Sequence, residues 1–161
     1  MTDRLTVRPY TPADEDTAVR IWARAARLAH PFLADEGTGA RERKMREVYL
    51  VLADHWIAEL DGVPVGVLGL LGAEIGGLFV APEAQGRGVG RALVGQAALL
   101  HGALTLEVYE KNTAARRFYA RVGFTEQGRR PDEEYDEVLL KLARPAPRGR
   151  ADGRAASLPA P

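Results

Sequence analysis

The chain switches between two hydrophobic periods. Leu5 and Val7, with polar residues between and after them, predict an exposed strand. Val19, Trp22, Ala26 and Ala29 then recur at steps of three and four, the apolar stripe of an amphipathic helix. Thr11-Pro12-Ala13-Asp14 supplies its start, with Thr11 as N-cap, Pro12 at the first position and Asp14 three residues after the cap. His30-Pro31-Phe32-Leu33 breaks the stripe, and Met45, Val48, Tyr49 and Leu52 resume it as a second helix. Apolar runs at 56–60 and 63–71 flank Asp61-Gly62, two residues that tolerate positive φ and so signal a hairpin. A third strand spans 74–80. Beyond it the pattern predicts a helix over 88–101, a strand over 104–109, a helix over 112–122 and strands over 124–127 and 135–142. Strands interleaved with helices in this way make a mixed α/β or α+β sheet, with no internal repeat.

Length and composition narrow the classes. A chain of 161 residues holds one buried core and little more, and 46% apolar with 27% charged residues is a soluble globular composition. The 22 basic and 22 acidic residues cancel, so no overall field argues for nucleic acid or an anionic membrane as partner. No apolar run approaches the 18 residues of a spanning helix, and the first residues lack the apolar stretch of a secretion signal. A cytoplasmic location is therefore expected. Residues 144–161 hold four Pro, four Arg and one Asp, a local charge of +3 against −3 for residues 1–143. Such a segment has too little apolar surface to offset ordering entropy. One domain over 1–143 and a solvated tail over 144–161 are expected. There is no cysteine, and Ser157 is the single serine. That excludes a disulfide framework, a cysteine zinc site and a covalent Ser or Cys nucleophile. No His/Asp/Glu group has metal-ligand spacing, so no metal is expected.

The segment from Leu78 to Leu93 carries the most chemistry. An apolar strand ends at Pro82; Gly86, Gly88 and Gly90 follow at every second position; an amphipathic helix begins. Alternating glycines let backbone amides approach an anion, and a helix N-terminus adds partial positive charge. Arg87 and Arg91 stand ready for charge-assisted contacts. This combination suits a pyrophosphate. It is not a dinucleotide fingerprint, because Arg91 stands where the third glycine should be, and no Walker run is present.

Gln85-Gly86-Arg87-Gly88-Val89-Gly90 resembles the Q-x-x-G-x-G acyl-CoA loop of the GNAT (GCN-related N-acetyltransferase) superfamily. The strand before it, Glu74 to Pro82, resembles that family's fourth strand, and Asn112, Ala115, Phe118-Tyr119 and Gly123-Phe124 match its N-x-x-A-x-x-F-Y-x-x-x-G-F signature. The resemblance covers about residues 4–143. It implies a mixed, mostly antiparallel sheet of about seven strands with about four helices. The implied activity is transfer of an acetyl group from acetyl-CoA to a primary amine, by direct attack in a ternary complex. A non-catalytic acyl-CoA-binding sensor or partner module is the alternative.

By the same resemblance, the backbone of Leu78, Phe79 and Val80 pairs with the pantetheine arm. Amides of Gln85, Gly86, Arg87, Gly88, Val89, Gly90 and Arg91 hold the pyrophosphate, and Asn112 contacts the CoA arm or, alternatively, caps its helix. Tyr119 is the general acid for the departing thiolate, although its place on an apolar stripe equally suits a core tyrosine. Glu74 is the general base, with Glu107 second. His30 is a contact for the acceptor, while His55 and His101 read as structural. The acidic run at Asp132, Glu133, Glu134, Asp136 and Glu137 is either a solvated turn or a wall that suits a cationic amine. The expected partners are acetyl-CoA and an amine acceptor, with no nucleic acid or membrane, in a monomer or homodimer.

Overall fold

A computed structural model describes residues 4–29 and 39–148. The expectations for His30 and for most of the tail lie outside the described residues. The described chain folds as β1 (Leu5–Pro9), α1 (Glu15–Ala29), α2 (Ala40–Lys44), α3 (Leu50–Leu52), β2 (Asp54–Leu60), β3 (Val63–Leu71), β4 (Glu74–Val80), α4 (Val89–His101), β5 (Leu104–Tyr109), α5 (Thr113–Arg121), β6 (Thr125–Asp132) and β7 (Glu137–Arg144). A π turn over Met45–Tyr49 joins α2 to α3 into one helical segment. Four helical segments among the described residues therefore flank a seven-stranded sheet ordered β1-β2-β3-β4-β5-β7-β6. Every pairing is antiparallel except β4 with β5. This is the fold class the sequence predicts.

The sheet sorts its side chains by strand alternation into two cores. Ile57 and Val67 join Val19, Trp22, Ala26 and Met45 on the α1 face. Ala58, Leu68, Leu70 and Ile75 join Leu93, Val94, Ala97, Leu106 and Leu140 on the other, beneath α4 and α5. Close approach on that second face depends on glycine. A Cβ on Gly66 would stand 2.8 Å from Val89 Cγ1 and 3.0 Å from Leu93 Cδ1, so α4 sits directly on β3. The Asp61-Gly62 hairpin forms with φ of 52° and 82°, the positive values its two-residue turn requires.

The last two strands run beyond their expected ends. β6 runs on to Asp132 instead of stopping at 127, because Gly128 to Pro131 pair with β7 after a register shift. This is an exposed edge strand of Arg, Pro and Asp, which carries no hydrophobic alternation to read. β7 ends at Arg144, whose Nε donates to the Val122 carbonyl at 2.8 Å and ties the strand to the end of α5. Among the described residues no helix is long and apolar enough to cross a membrane.

The start of α1 is fixed by one buried carboxylate. Asp14, 8% exposed, accepts from the Thr11 amide at 2.8 Å and from both Arg8 guanidinium nitrogens at 2.8 and 2.9 Å. Hydrogen bonds from Arg8, then those from Thr11, outweigh the cost of burial and hold the Asp14 carboxyl well below the usual carboxylate range. A depressed folded value stabilises above the unfolded pKa of about 4 and is lost as pH falls below it. Asp14→Asn is expected to cost about 1.5–3 kcal/mol at neutral pH, the range for hydrogen bonds to charged groups. The deficit should shrink on acidification, and urea unfolding at neutral and acid pH reads both. A deficit independent of pH would contradict the assignment.

Candidate active site

The site begins where two strands part. β4 and β5 share two register pairs, Glu74 with Thr105 and Ile75 with Leu106. One further bond runs from the Thr105 amide to the Ala73 carbonyl at 3.1 Å. Beyond them β3 accompanies β4 to Val80 and β7 accompanies β5 to Tyr109. The cause lies in the β3–β4 ladder: Gly69 pairs with Gly77 but Leu70 with Ile75, which leaves Gly76 as an extra residue on β4. A bulge of this kind bends its strand and increases the local twist. It turns the second half of β4 away from β5.

A cavity of about 880 Å³ occupies the opening. Leu78, Phe79 and Val80 line it, which brings the expected pantetheine-binding backbone to its wall. Gln85, Gly86, Gly88, Val89, Gly90, Arg91 and Asn112 line it as well, whereas Arg87 and Glu74 do not. Gly86 and Gly88 have φ of 80° and 86°, and a Cβ on either would meet no atom nearer than 4.0 Å. Backbone shape, not packing, therefore calls for glycine at both. Gly90 does a different job, since its Cβ would stand 2.9 Å from Phe118 Cζ; it lets α4 touch α5. Val89 is fully buried, so only its backbone faces a ligand. Positive-φ backbone opening onto free space, followed by the start of α4, fits a bound pyrophosphate.

Asn112 caps α5, its Oδ1 accepting from the Ala115 amide at 3.1 Å, while the residue also lines the cavity. Both alternatives for Asn112 thus remain compatible with its position. Tyr119, 8% exposed, is wedged between Phe118 and Phe124, with ring centroids at 5.2 and 5.4 Å. Among the described residues its hydroxyl has no hydrogen-bond partner, yet the residue lines the cavity. Burial pushes its ionisation above that of an ordinary tyrosine. The ring is buried but the hydroxyl oxygen itself reaches accessible space, where it is available to a ligand.

The opposite end of the cavity is aromatic and charged. On β5, Glu107 and Tyr109 alternate with buried Leu106 and Val108 and so share the cavity side. Arg130 grips Glu107 through two bonds of 2.6 and 2.7 Å, which holds that carboxyl below its usual range. A carboxylate so engaged is a poor proton acceptor. Tyr109 donates to Asp132 Oδ2 at 2.6 Å. Arg41 lies 5.7 Å from the Trp22 ring centroid and 6.0 Å from that of Tyr135, linking α2 to α1 and to the β6–β7 turn. Of the acidic run, Asp132 and Glu134 line the cavity; Glu137 pairs with Lys111 at 2.8 Å. Glu74 is exposed at the first position of β4.

Sequence reasoning passed over Tyr109, Trp22 and Arg41 as site residues. Tyr109 was recoverable, because period-two alternation puts it on the same side as Glu107. The Arg41 contacts join elements far apart in the chain and leave no local signal. His55 stacks on Tyr10 at 5.7 Å, and burial lowers its pKa. His101 ends α4, as its spacing before Gly102 predicts.

Comparison with known proteins gives a consistent result. Residues 52–126 match the family model described as an acetyltransferase (GNAT) domain. The chain is 32% identical to peptidyl-lysine N-acetyltransferase YjaB of Salmonella typhimurium, over 88% of this chain and 99% of that protein. It is 35% identical to peptidyl-lysine N-acetyltransferase YiaC of Escherichia coli, over 73% of this chain and 82% of that one. The solution structure of apo-form YjaB from Escherichia coli superposes with a TM-score of 0.78 at 34% identity, covering 87% of this chain and 97% of that one.

The loop geometry yields a paired test. Gly88→Asn retains a residue that tolerates positive φ, while Gly88→Asp adds a negative charge beside the expected pyrophosphate. Calorimetry with acetyl-CoA should show at least about a tenfold further loss of affinity for the aspartate variant, roughly 1.4 kcal/mol. Equal affinities for the two variants would remove the phosphate from this loop.

Proposed function

The chain belongs to the GNAT acetyltransferase family and is an acetyl-CoA-dependent N-acetyltransferase; we propose that its acceptor is the side-chain amine of lysine in a peptide or protein. Relatives at 32–36% identity named peptidyl-lysine N-acetyltransferases support the acceptor class. The observation that carries the mechanism is Tyr119, a buried ring on the wall of the cavity whose hydroxyl has no partner among the described residues. In this reading the catalytic domain spans 1–143 with 144–161 as a tail. The protein acts in the cytoplasm as a monomer or homodimer, with no part for nucleic acid, membrane or metal.

The acyl donor lies along β4, its pantetheine arm against the backbone of Leu78, Phe79 and Val80. Its pyrophosphate rests on the amides of residues 85–91, and Asn112 borders the arm. One proton leaves the lysine ammonium, and the amine attacks the thioester carbonyl carbon. The resulting oxyanion faces amides of β4, which stabilise charge as it develops. The C–S bond then breaks, and Tyr119 gives its proton to the thiolate. A second proton leaves nitrogen as the amide forms and restores the tyrosine. The products are the amide, the thiol and one net proton. Burial keeps the Tyr119 phenol in its protonated form, the form a general acid requires. Direct attack suits a chain with no cysteine and a single serine at position 157. Glu74, exposed and outside the cavity lining, serves as the proton acceptor through solvent.

Tyr119→Phe separates enzyme from sensor. Its turnover with a lysine peptide should fall by about two orders of magnitude or more, the usual contribution of a positioned acid. Acetyl-CoA affinity should stay near wild type, and thermal stability should not fall, because no hydrogen bond is removed. Undiminished turnover at saturating substrates would end the acid role. Absence of thiol release from the wild type with any amine would favour the sensor. For Glu74→Gln a fall in kcat of about tenfold is expected. A kcat identical to wild type would assign proton removal to bulk water.

A further inference from the structure

We propose that Asp132 is the carboxylate that receives the acceptor's ammonium group, with Tyr109 as the residue that holds it in position. The inference rests on the lysine reading above and assigns the charge that recognises that substrate.

Three carboxylates line the acceptor end of the cavity: Glu107, Asp132 and Glu134. Two already face a cation of the protein. Arg130 binds Glu107 through both nitrogens, and Lys44 stands 3.6 Å from Glu134. Arg41 is engaged by the faces of Trp22 and Tyr135. Asp132 differs. Among the described residues it has no ion pair, and its side chain accepts from a neutral phenol, Tyr109, at 2.6 Å and from the Glu134 amide at 3.0 Å. Those two bonds fix the rotamer and leave acceptor capacity on both oxygens. The half-buried carboxylate is thus oriented by neutral donors, with the Arg130 guanidinium near enough to act on it through space but bonded to Glu107 instead. An ammonium ion is the group that completes it, with up to three N–H donors for the remaining lone pairs.

An independent observation marks the same cavity as a ligand site. Tyr119 is more than nine-tenths buried, has no partner for its hydroxyl among the described residues, and lines the same space from α5. The acid for the leaving group and the anchor for the incoming amine therefore stand on elements that converge on one cavity: α5 on one side, the end of β6 on the other. Tyr109 does not touch the substrate in this assignment. It is a positioning residue.

Asp132→Asn removes the charge and can keep both local bonds, since the asparagine oxygen accepts from the Glu134 amide and its NH2 group donates to the Tyr109 hydroxyl, which accepts as well as donates. Initial rates are measured with acetyl-CoA and two acceptors, a lysine peptide and propylamine, beside calorimetric acetyl-CoA affinity and thermal stability. The expected result is a KM for either acceptor raised about tenfold or more, with kcat, acetyl-CoA affinity and stability near wild type. Tyr109→Phe should raise KM by less, and Asp132→Glu should recover part of the loss. An unchanged KM for the acceptor that the wild type uses overturns the assignment. So does a joint fall in kcat, acetyl-CoA affinity and stability, the signature of a structural role. If the wild type acetylates propylamine but no lysine peptide, the lysine reading fails and Asp132 stands on the propylamine data. If it acetylates neither, both fail.

Discussion

Everything in this molecule that can do chemistry depends on β4 and β5 not staying together. A parallel pair in the middle of a sheet would ordinarily continue, because each unpaired backbone group facing its neighbour loses a hydrogen bond. Here pairing stops after Ile75 and Leu106. The extra residue Gly76 redirects β4 while β3 still satisfies its other edge. An interrupted ladder leaves a row of polar groups along one side of β4, ready-made for an extended arm that adds as a strand would. One inserted glycine thus accompanies the opening of the sheet between β4 and β5. The ladders of β3 on one side and β7 on the other keep the two walls from closing.

The helices that flank this opening are placed by contacts too tight for a methyl group. Gly66 brings α4 against β3, and Gly90 brings α5 against the first turn of α4. Through Gly90 and Phe118 the position of α5 is locked to the first turn of α4, and Tyr119 is the next residue along. The proposed phosphate loop and the proposed acid are therefore parts of one packed unit. Such coupling gives a catalytic group its precision without a dedicated hydrogen bond, since rings on both sides hold the tyrosine.

Most of the fold was legible because it obeys local rules. Asp61-Gly62 forms its turn, Asn112 caps its helix, and the apolar stripe from Val19 to Ala26 faces the core. The extent of β6 was not legible, because an exposed edge strand needs no apolar face. The shape of the glycine loop could be read because its requirement, positive φ at Gly86 and Gly88, is written in residue type. Yet the run of glycines conceals a division of labour: Gly90 is there for Phe118, a partner 28 residues away that no local pattern points to. The acidic run presented five candidates, and only the folded turn sorts Asp132 and Glu134 toward the cavity from Glu137 toward Lys111.

The acceptor end was hardest to read, for an electrostatic reason. Its ion pairs join β5 to β6 and α2 to the β6–β7 turn, so each involves residues from different elements. Pairs this exposed contribute little to stability, typically under about 1 kcal/mol. Their effect is subtractive: each removes a carboxylate from the set that can meet a cationic substrate. A run of five acidic residues looks in sequence like a diffuse field, whereas in the fold three carboxylates line the cavity and, among the described residues, Asp132 is the one of them without an ion pair. Recognition by one oriented carboxylate differs physically from attraction by a field. A field concentrates any cation and fades with salt. A carboxylate fixed by Tyr109 and by a backbone amide instead demands a donor at a defined point, and that point can place an amine nitrogen for attack.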